Sequence, residues 1–312
     1  ALGAAQAEAA QARLLQHAVE RLGLRHAIHW YYTPMALGLT GGLTPLATIY
    51  DCMDELSLFR NAPTRLVDYE AELLKLADVV FTGGHHLYEF KRDRHSNIHP
   101  MPSSIDKKHF MQARELSDSA DPSDQVSIPH PRIGFYGVID DRLDLELLRG
   151  MAEAKPDWQL ILIGPVVNKI SQESLPKAPN IHYLGQKHYQ ELPRYLSGWD
   201  VAMLPFAKVE ATRFISPTKT PEYLAAGKPV VSTSIRDVVR PYGEEQLVLI
   251  GDTVDEFIHA IETALRIDHH NSSWKNRVDE FLSDKSWDQT WSKMAELIQK
   301  CVSKPSSLRQ AG

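Results

Sequence analysis

The sequence predicts an α/β protein built from two doubly wound domains. Three observations carry that expectation. Short apolar runs rich in Val, Ile and Leu alternate with amphipathic helical patterns along the whole chain. One polar, proline-bearing stretch interrupts them at residues 116–131 (LSDSADPSDQVSIPHP) and reads as a linker. The length, 312 residues, suits about two cores.

The elements follow in order. In the first part, residues 26–31 (HAIHWY), 46–50 (LATIY), 79–82 (VVFT) and 98–102 (IHPMP) read as strands, with helices at 6–21, 64–76 and 85–91. The second part is more regular. Strands are expected at 132–136, 159–163, 181–184, 201–204, 229–232 and 247–250, with helices between them at 144–154, 189–196, 217–226 and 254–265. Two further helical stretches, 272–282 and 287–302, follow with no strand between them. The expected organisation is therefore a first domain at 1–115, a linker at 116–131, a second domain at 132–268, and C-terminal helices at 269–312 that pack back toward the first domain. The first part has four strands against six and opens on a helix, not on a strand with a Gly-rich turn. That leads to the expectation that the start of the first domain lies outside this chain.

Composition narrows the function classes. A hydrophobic fraction of 43% and a charged fraction of 24% are those of an ordinary globular protein. A formal net charge of -6 offers no broad cationic field, which argues against nucleic acid as a main partner. Cys52 and Cys301 have neither a disulfide framework nor metal-ligand spacing, as expected of a reducing, cytoplasmic location. No apolar run reaches the roughly 18 residues of a membrane span, so any membrane contact is expected to be peripheral. The pairs His85-His86 and His269-His270 lack the accompanying carboxylates or cysteines of a metal cluster, and no metal and no cofactor is expected.

The most informative stretch is SPTKTPEYLAAGKPVV, Ser216 to Val231. Ser216 is placed to cap a helix whose first position is Pro217, and Gly227 with Pro229 ends it. Lys219 then falls in the first turn, where a helix dipole disfavours a cation unless an anion sits there too. Glu222, one turn on, can accept hydrogen bonds from sugar hydroxyls. The competing reading is a surface ion pair of Lys219 with Glu222 at i,i+3.

In doubly wound sheets the loops after the strands bind ligands. Here they carry Gly137 and Arg142, then Gly164-Pro165, then Gly185-Gln186-Lys187, then Pro205-Phe206, which together suggest a nucleotide crevice. Asp140 and Asp141 read equally well as helix caps. In the first part, Asp51, Asp54 and Glu55 put three carboxylates in five positions after a strand, suited to orienting a sugar hydroxyl or to general-base work, or else to the start of a helix. The run His29-Trp30-Tyr31-Tyr32 reads either as a carbohydrate-facing strand end or as aromatic core.

These segments resemble the GT-B glycosyltransferases, in particular the retaining family 4 group. SPTKTPEYLAAGKPVVS is similar to its donor-binding segment, and the similarity runs on through IGFYGVIDDRLDLELL, IHYLGQKHYQELPRYLSGWDVAMLPF and Ser286-Trp287. ADVVFTGGHHLYEFKR with MPSSIDKKHF looks like the end of such an enzyme's first domain, and IYDCMDE is similar to the bacterial cell-surface polysaccharide transferases that include the teichuronic acid transferases. The resemblance implies two Rossmann-like domains and a metal-independent, retaining transfer from a nucleotide-sugar donor, UDP in preference to GDP, to a polysaccharide or lipid-linked acceptor. It implies that Glu222 binds the donor ribose, that Ser216, Pro217 and Thr218 lie beside the diphosphate, that Gly137 approaches the phosphates, that Arg142 or Lys219 neutralises them, and that Gln186 and Lys187 border the base, with Gly164 among the donor-binding residues. Asp51, Asp54 and Glu55 would fall on the acceptor side.

The chain departs from the family pattern at three places. Phe214 stands eight before Glu222 where the family has a second glutamate, Val138 stands where it has an arginine, and Tyr50-Asp51 stands where it often has His-Asp. Two other functions compete: a non-catalytic nucleotide-binding or subunit-pairing module derived from such an enzyme, and a sugar-nucleotide epimerase, which would need a carboxylate at Phe214.

Overall fold

The computed structural model describes residues 3–24, 26–59, 61–117, 120–167, 174–267 and 272–303. The chain divides into two compact α/β units, one comprising Ala1–Pro102 and Asp288–Gly312, the other Ser103–Trp287. Both sheets are wholly parallel, and the fold class is the one the sequence predicts, two Rossmann-like units.

In the first unit the strands β1 (Ile28–Tyr31), β2 (Ala47–Cys52), β3 (Val79–Thr82) and β4 (Ile98–Pro100) lie in that order across one sheet. Every residue of β2 and β3 is buried, as expected of parallel strands covered on both faces. Successive side chains alternate between the faces. Ala47 and Ile49 of β2 join Val79 and Phe81 against Met294, Ile298 and Cys301 of the Trp287–Val302 helix. From the other face of β2, Tyr50 donates to Glu70 of the Leu66–Leu76 helix at 2.8 Å, and Lys91 bridges Glu70 at 2.7 Å and Glu55 at 2.5 Å. Lys91 has no exposed surface, so these carboxylates are what keep its charge tolerable in the interior.

In the second unit the strands are β5 (Arg132–Tyr136), β6 (Gln159–Ile163), β7 (Ile181–Gly185), β8 (Val201–Leu204), β9 (Val230–Ser232) and β10 (Val248–Ile250), and their spatial order is β10-β9-β8-β5-β6-β7. The chain winds outward from β5 through β6 to β7, then returns to β8 on the other side. That reversal is the switch point of a doubly wound sheet. Helices Leu145–Ala154 and Val254–Leu265 bury their apolar stripes in its core. Asp144 caps the first, its carboxylate accepting from Leu147 N at 2.9 Å, while Asp140 and Asp141 precede it and cap nothing.

The units differ from the expected domains in two ways. Residues 103–131 belong to the second unit, so 116–131 is not a connector. Its polar residues are internal partners: Gln125, with no exposed surface, donates to Asp121 at 2.7 Å and to the Tyr195 carbonyl at 3.0 Å, and accepts from the Trp199 indole at 2.9 Å. Asp124 accepts from Tyr195 Oη at 2.8 Å. Polarity, read in sequence as solvation, here satisfies a buried indole and a backbone carbonyl. The C-terminal helices also part company, because Ser272–Phe281 stays in the second unit and only Trp287–Val302 lines the first sheet. The His269-His270 pair lies outside the described residues.

Gln125→Leu keeps the volume but leaves the Trp199 N–H and the Tyr195 carbonyl without their partner. It should lower unfolding free energy by about 1–3 kcal/mol in urea denaturation; a loss near zero would mean that the 116–131 segment is not part of this core.

Candidate functional site

The candidate site lies at the switch point, at the carboxyl end of β5. Gly137 leaves the strand at φ +150, a conformation that disfavours side chains, and a Cβ there would meet Lys219 Cε at 2.6 Å. Its N–H is held by the Ile163 carbonyl at 2.8 Å. Gly164, at φ +141 after β6, supports it from below, since a Cβ there would land on the Gly137 carbonyl oxygen. The two loops continue side by side, Ile139 N donating to the Pro165 carbonyl at 3.0 Å. Gly164 therefore closes the loops on each other and does not widen a crevice.

Lys219 and Glu222 come from the seven-residue helix Lys219–Ala225. The helix starts two residues later than the sequence suggests. Thr218 is its N-cap, in helical conformation and without a side-chain cap bond, and Ser216 does not cap it. Ser216 is instead engaged by Ser103, whose N–H donates to Ser216 Oγ at 3.4 Å and whose hydroxyl donates to the Ser216 carbonyl at 2.6 Å. Pro217 and Thr218 lie half-buried in the same turn, Pro217 accepting from Thr220 N at 3.2 Å and Thr218 from Glu222 N at 3.4 Å.

The electrostatics of the pair are unusual. Lys219 is half-buried and, among the described residues, makes no hydrogen bond and no ion pair. The surface ion pair with Glu222 allowed by the spacing is thus not formed. Burial pushes the Lys219 ammonium below the ordinary lysine range, with the nearby charge of Arg142 acting in the same direction against Glu222 and Asp140. Glu222 is shifted the opposite way: burial raises it from 4.5 to about 7, opposed by a hydrogen bond from the Tyr136 hydroxyl to Oε2 and by Lys219. Oε1 has no partner among the described residues. Tyr136, the last residue of β5, is itself fixed by its N–H donating to Tyr223 Oη at 3.0 Å.

The other expected donor residues are dispersed. Arg142 forks onto Asp140, with Nε 3.0 Å from both carboxylate oxygens and Nη2 2.8 Å from Oδ2, so its charge is already matched. Lys187 pairs with Asp124 at 2.6 Å, and Gln186 is exposed beside it. Phe214 is buried and Val138 is partly exposed, so neither position supplies a polar group.

In the first unit the three carboxylates diverge. Asp51, the last residue but one of β2, lies on the face of Trp30, whose indole donates to Oδ2 at 3.1 Å, and burial raises its carboxyl to about 6. Glu55 is committed to Lys91 on the side of Glu70 and also accepts from the Ser57 hydroxyl. Asp54, between them, is half-buried and precedes a short 3-10 turn, Leu56–Leu58, in place of the expected helix. Period-two alternation along β2 separates Asp51 from the Glu70 face, so the three do not form one cluster. Sequence reading missed Tyr136, Tyr223 and Ser103 as positioning groups, and singled out Trp30 only as part of an aromatic strand end. Only Tyr136 carried a usable signal, as the strand residue immediately before Gly137.

Comparison with known proteins fits this arrangement. Residues 130–266 match the family described as glycosyl transferases group 1. Over 256 residues the chain is 26% identical to a protein of Bacillus subtilis (strain 168) named as a teichuronic acid biosynthesis glycosyltransferase, TuaH. That alignment takes in 76% of this chain and 63% of the relative, so the chain spans under two thirds of the length of the relative it matches. Among solved structures, sucrose-phosphate synthase from Thermosynechococcus elongatus superposes with a TM-score of 0.68 at 15% identity, covering 93% of this chain and 76% of the other. HepE of Anabaena, in complex with UDP and glucose, gives 0.66 at 12%, covering 93% and 80%. At these identities the structural likeness establishes the fold. Among the described residues, no helix is long and apolar enough to cross a membrane.

Between pH 4.5 and about 7 the folded chain keeps a proton on Glu222 that the unfolded chain has released. Stability should therefore fall as pH rises through that window. Glu222→Gln should flatten this part of the pH profile of the denaturation midpoint, leaving the smaller contribution of Asp51; an unchanged slope would show that Glu222 titrates as a solvated carboxylate.

Proposed function

We propose that this chain, whose residues 130–266 match the family described as glycosyl transferases group 1, transfers a sugar from a nucleotide-sugar donor to a glycan or lipid-linked acceptor. The observation that carries the reading is Lys219, a half-buried cation that forms no hydrogen bond or ion pair among the described residues and lies against the Cβ-free surface of Gly137 at the switch point. A directly bonded anion would complete such a site. A diphosphate seated there would gain a charge-assisted partner in Lys219 and would lift the desolvation cost that holds the ammonium's pKa down.

In this reading Glu222 accepts from the ribose hydroxyls through Oε1, while Tyr136 holds Oε2 and fixes the carboxylate's orientation. Ser216 to Thr218, tied to Ser103, border the diphosphate. Arg142, already neutralised by Asp140, shapes the loop and does not meet the phosphates directly; Gln186 and Lys187 are left with the base. As the sugar departs, negative charge builds on the leaving diphosphate, and Lys219 is the group positioned to stabilise it. Asp51 is the acceptor-side candidate, because a carboxyl raised to about 6 sits in a useful range for taking a proton from a hydroxyl. Glu55 is excluded from that role by its ion pair with Lys91.

UDP is favoured as the nucleotide because HepE, a structural neighbour, is a UDP complex, and a cell-surface polysaccharide or its lipid-linked precursor is favoured as acceptor because of the name TuaH carries. Such an acceptor would place the chain at the inner face of the cytoplasmic membrane. Retention of configuration follows from the resemblance and is read from the anomeric proton coupling of the product.

Calorimetric titration with UDP, GDP and ADP and their glucose conjugates should give binding by one nucleotide only. Lys219→Ala and Glu222→Ala should each weaken it by about 1.5–3 kcal/mol, roughly ten- to a hundredfold in Kd. Asp51→Asn should leave donor affinity intact and depress transfer. Equal affinity of Lys219→Ala and wild type would refute the donor site, whereas tight binding without turnover would favour a nucleotide-binding module.

A further inference from the structure

The sheet of the first unit ends in aromatic rings that its core does not use up. Ala47 and Ile49 of β2, with Val79 and Phe81 of β3, face the Trp287–Val302 helix, and Trp30 packs against the same cluster. Cys301, near the end of that helix, donates to the Asp78 carbonyl just before β3, so the helix runs against the strands and brings Trp291 to their carboxyl ends. There Trp291 stacks on Trp30, with ring centroids 6.0 Å apart at 28°, and Tyr32, the residue after β1, lies 6.2 Å from Trp30 at 34°. Phe81, with no exposed surface, closes the base of the cluster 6.2 Å from Trp30. Trp291 and Tyr32, by contrast, are 56% and 62% exposed. Tyr31 points the other way and is buried, its hydroxyl bonded to that of Thr40 at 2.6 Å.

A polar group completes the cluster. Asp51 pairs in register with Phe81 and lies two residues past Ile49 on the same face. The Trp30 indole holds Oδ2, while Oδ1 has no partner among the described residues. Asp51 is 5% exposed, and Oδ1 is not one of the fully enclosed, unpartnered side-chain atoms, so a ligand can reach it. A carboxylate oxygen this deeply set is rarely left without a donor. Among the described residues no lysine or arginine lies over Trp30, Tyr32 or Trp291. The rings therefore keep open faces, and their one charged neighbour in the cluster is an acid.

We infer that Trp291, Tyr32 and Asp51 form a subsite for a neutral pyranose ring of a glycan chain. The axial C–H groups of a pyranose, polarised by the adjoining oxygens, meet the electron-rich face of an indole or phenol, and its hydroxyls donate at the rim. Oδ1 accepts from one of those hydroxyls and fixes how the ring lies. A lipid chain has nothing to offer Oδ1, and a phosphate is repelled by it. The inference rests on the proposed glycosyltransferase activity only for the role of that ring as part of the acceptor, and of the two acceptor classes it selects the glycan.

The test is titration of the full chain, without donor, with maltotriose, cellotriose and triacetylchitotriose, followed by calorimetry and tryptophan fluorescence. At least one trisaccharide should bind saturably and change the emission. Trp291→Ala and Tyr32→Ala should each weaken that binding about three- to tenfold and Asp51→Asn about fivefold, whereas Trp291→Phe, which keeps a ring, should retain most of the affinity. Failure of all three trisaccharides to bind, or an affinity untouched by both alanine variants, would overturn the subsite. So would binding to phosphatidylglycerol vesicles that Trp291→Ala abolishes and no trisaccharide competes for, since the rings would then be a membrane contact. UDP affinity reads the Lys219 site separately and should be unchanged in Trp291→Ala. Trisaccharide binding by a chain that binds no nucleotide would defeat the donor assignment and leave the subsite standing.

Discussion

The candidate site depends on the missing side chain at position 137. The φ of +150 disfavours any side chain at 137, and with Lys219 Cε 2.6 Å from where a Cβ would stand, glycine leaves the lysine free to lie directly against the backbone after β5. Gly164 repeats the arrangement one layer below, where a Cβ would strike the Gly137 carbonyl. Two adjacent strand ends are thereby drawn together at the point where the sheet reverses direction. Tyr136, in the last position of β5, is anchored by Tyr223 and in turn anchors Glu222, so strand, helix and loop are fixed to one another by contacts that exclude bulk.

The same burial acts on two opposite charges and moves both toward neutrality. Lys219 is pushed down and Glu222 up to about 7, and the two do not relieve each other by pairing. A structural ion pair would have closed, as Lys91 has closed on Glu55 and Glu70 in the first unit. That contrast separates charge that stabilises a fold from charge held ready for something else. Arg142 and Lys187, both expected to meet the donor, belong to the first category, since Asp140 and Asp124 already neutralise them.

The strands were legible because parallel strands buried on both faces read as unbroken runs such as VVFT, QLILI and VAML. Gly137, Lys219 and Glu222 were legible because strand ends and helix starts are where ligand chemistry collects. What could not be read were partnerships across long stretches of chain. Nothing near Gln125 shows that Trp199 needs it, so a polar segment passed for a linker. Ser216 looked like a cap because its competitor, Ser103, lies 113 residues away. Three carboxylates between residues 51 and 55 looked like one cluster until strand alternation put Asp51 and Glu55 to different partners, Trp30 and Lys91.

The central claim is that Lys219 is a cation waiting for an anion. Its ammonium can be followed directly by NMR titration of the chain labelled at lysine, assigned with Lys219→Arg, in the absence and presence of UDP. A pKa below the ordinary lysine range in the free chain that rises when UDP binds is the predicted result. A Lys219 pKa that is ordinary from the outset, or one that UDP leaves where it was, would contradict the account.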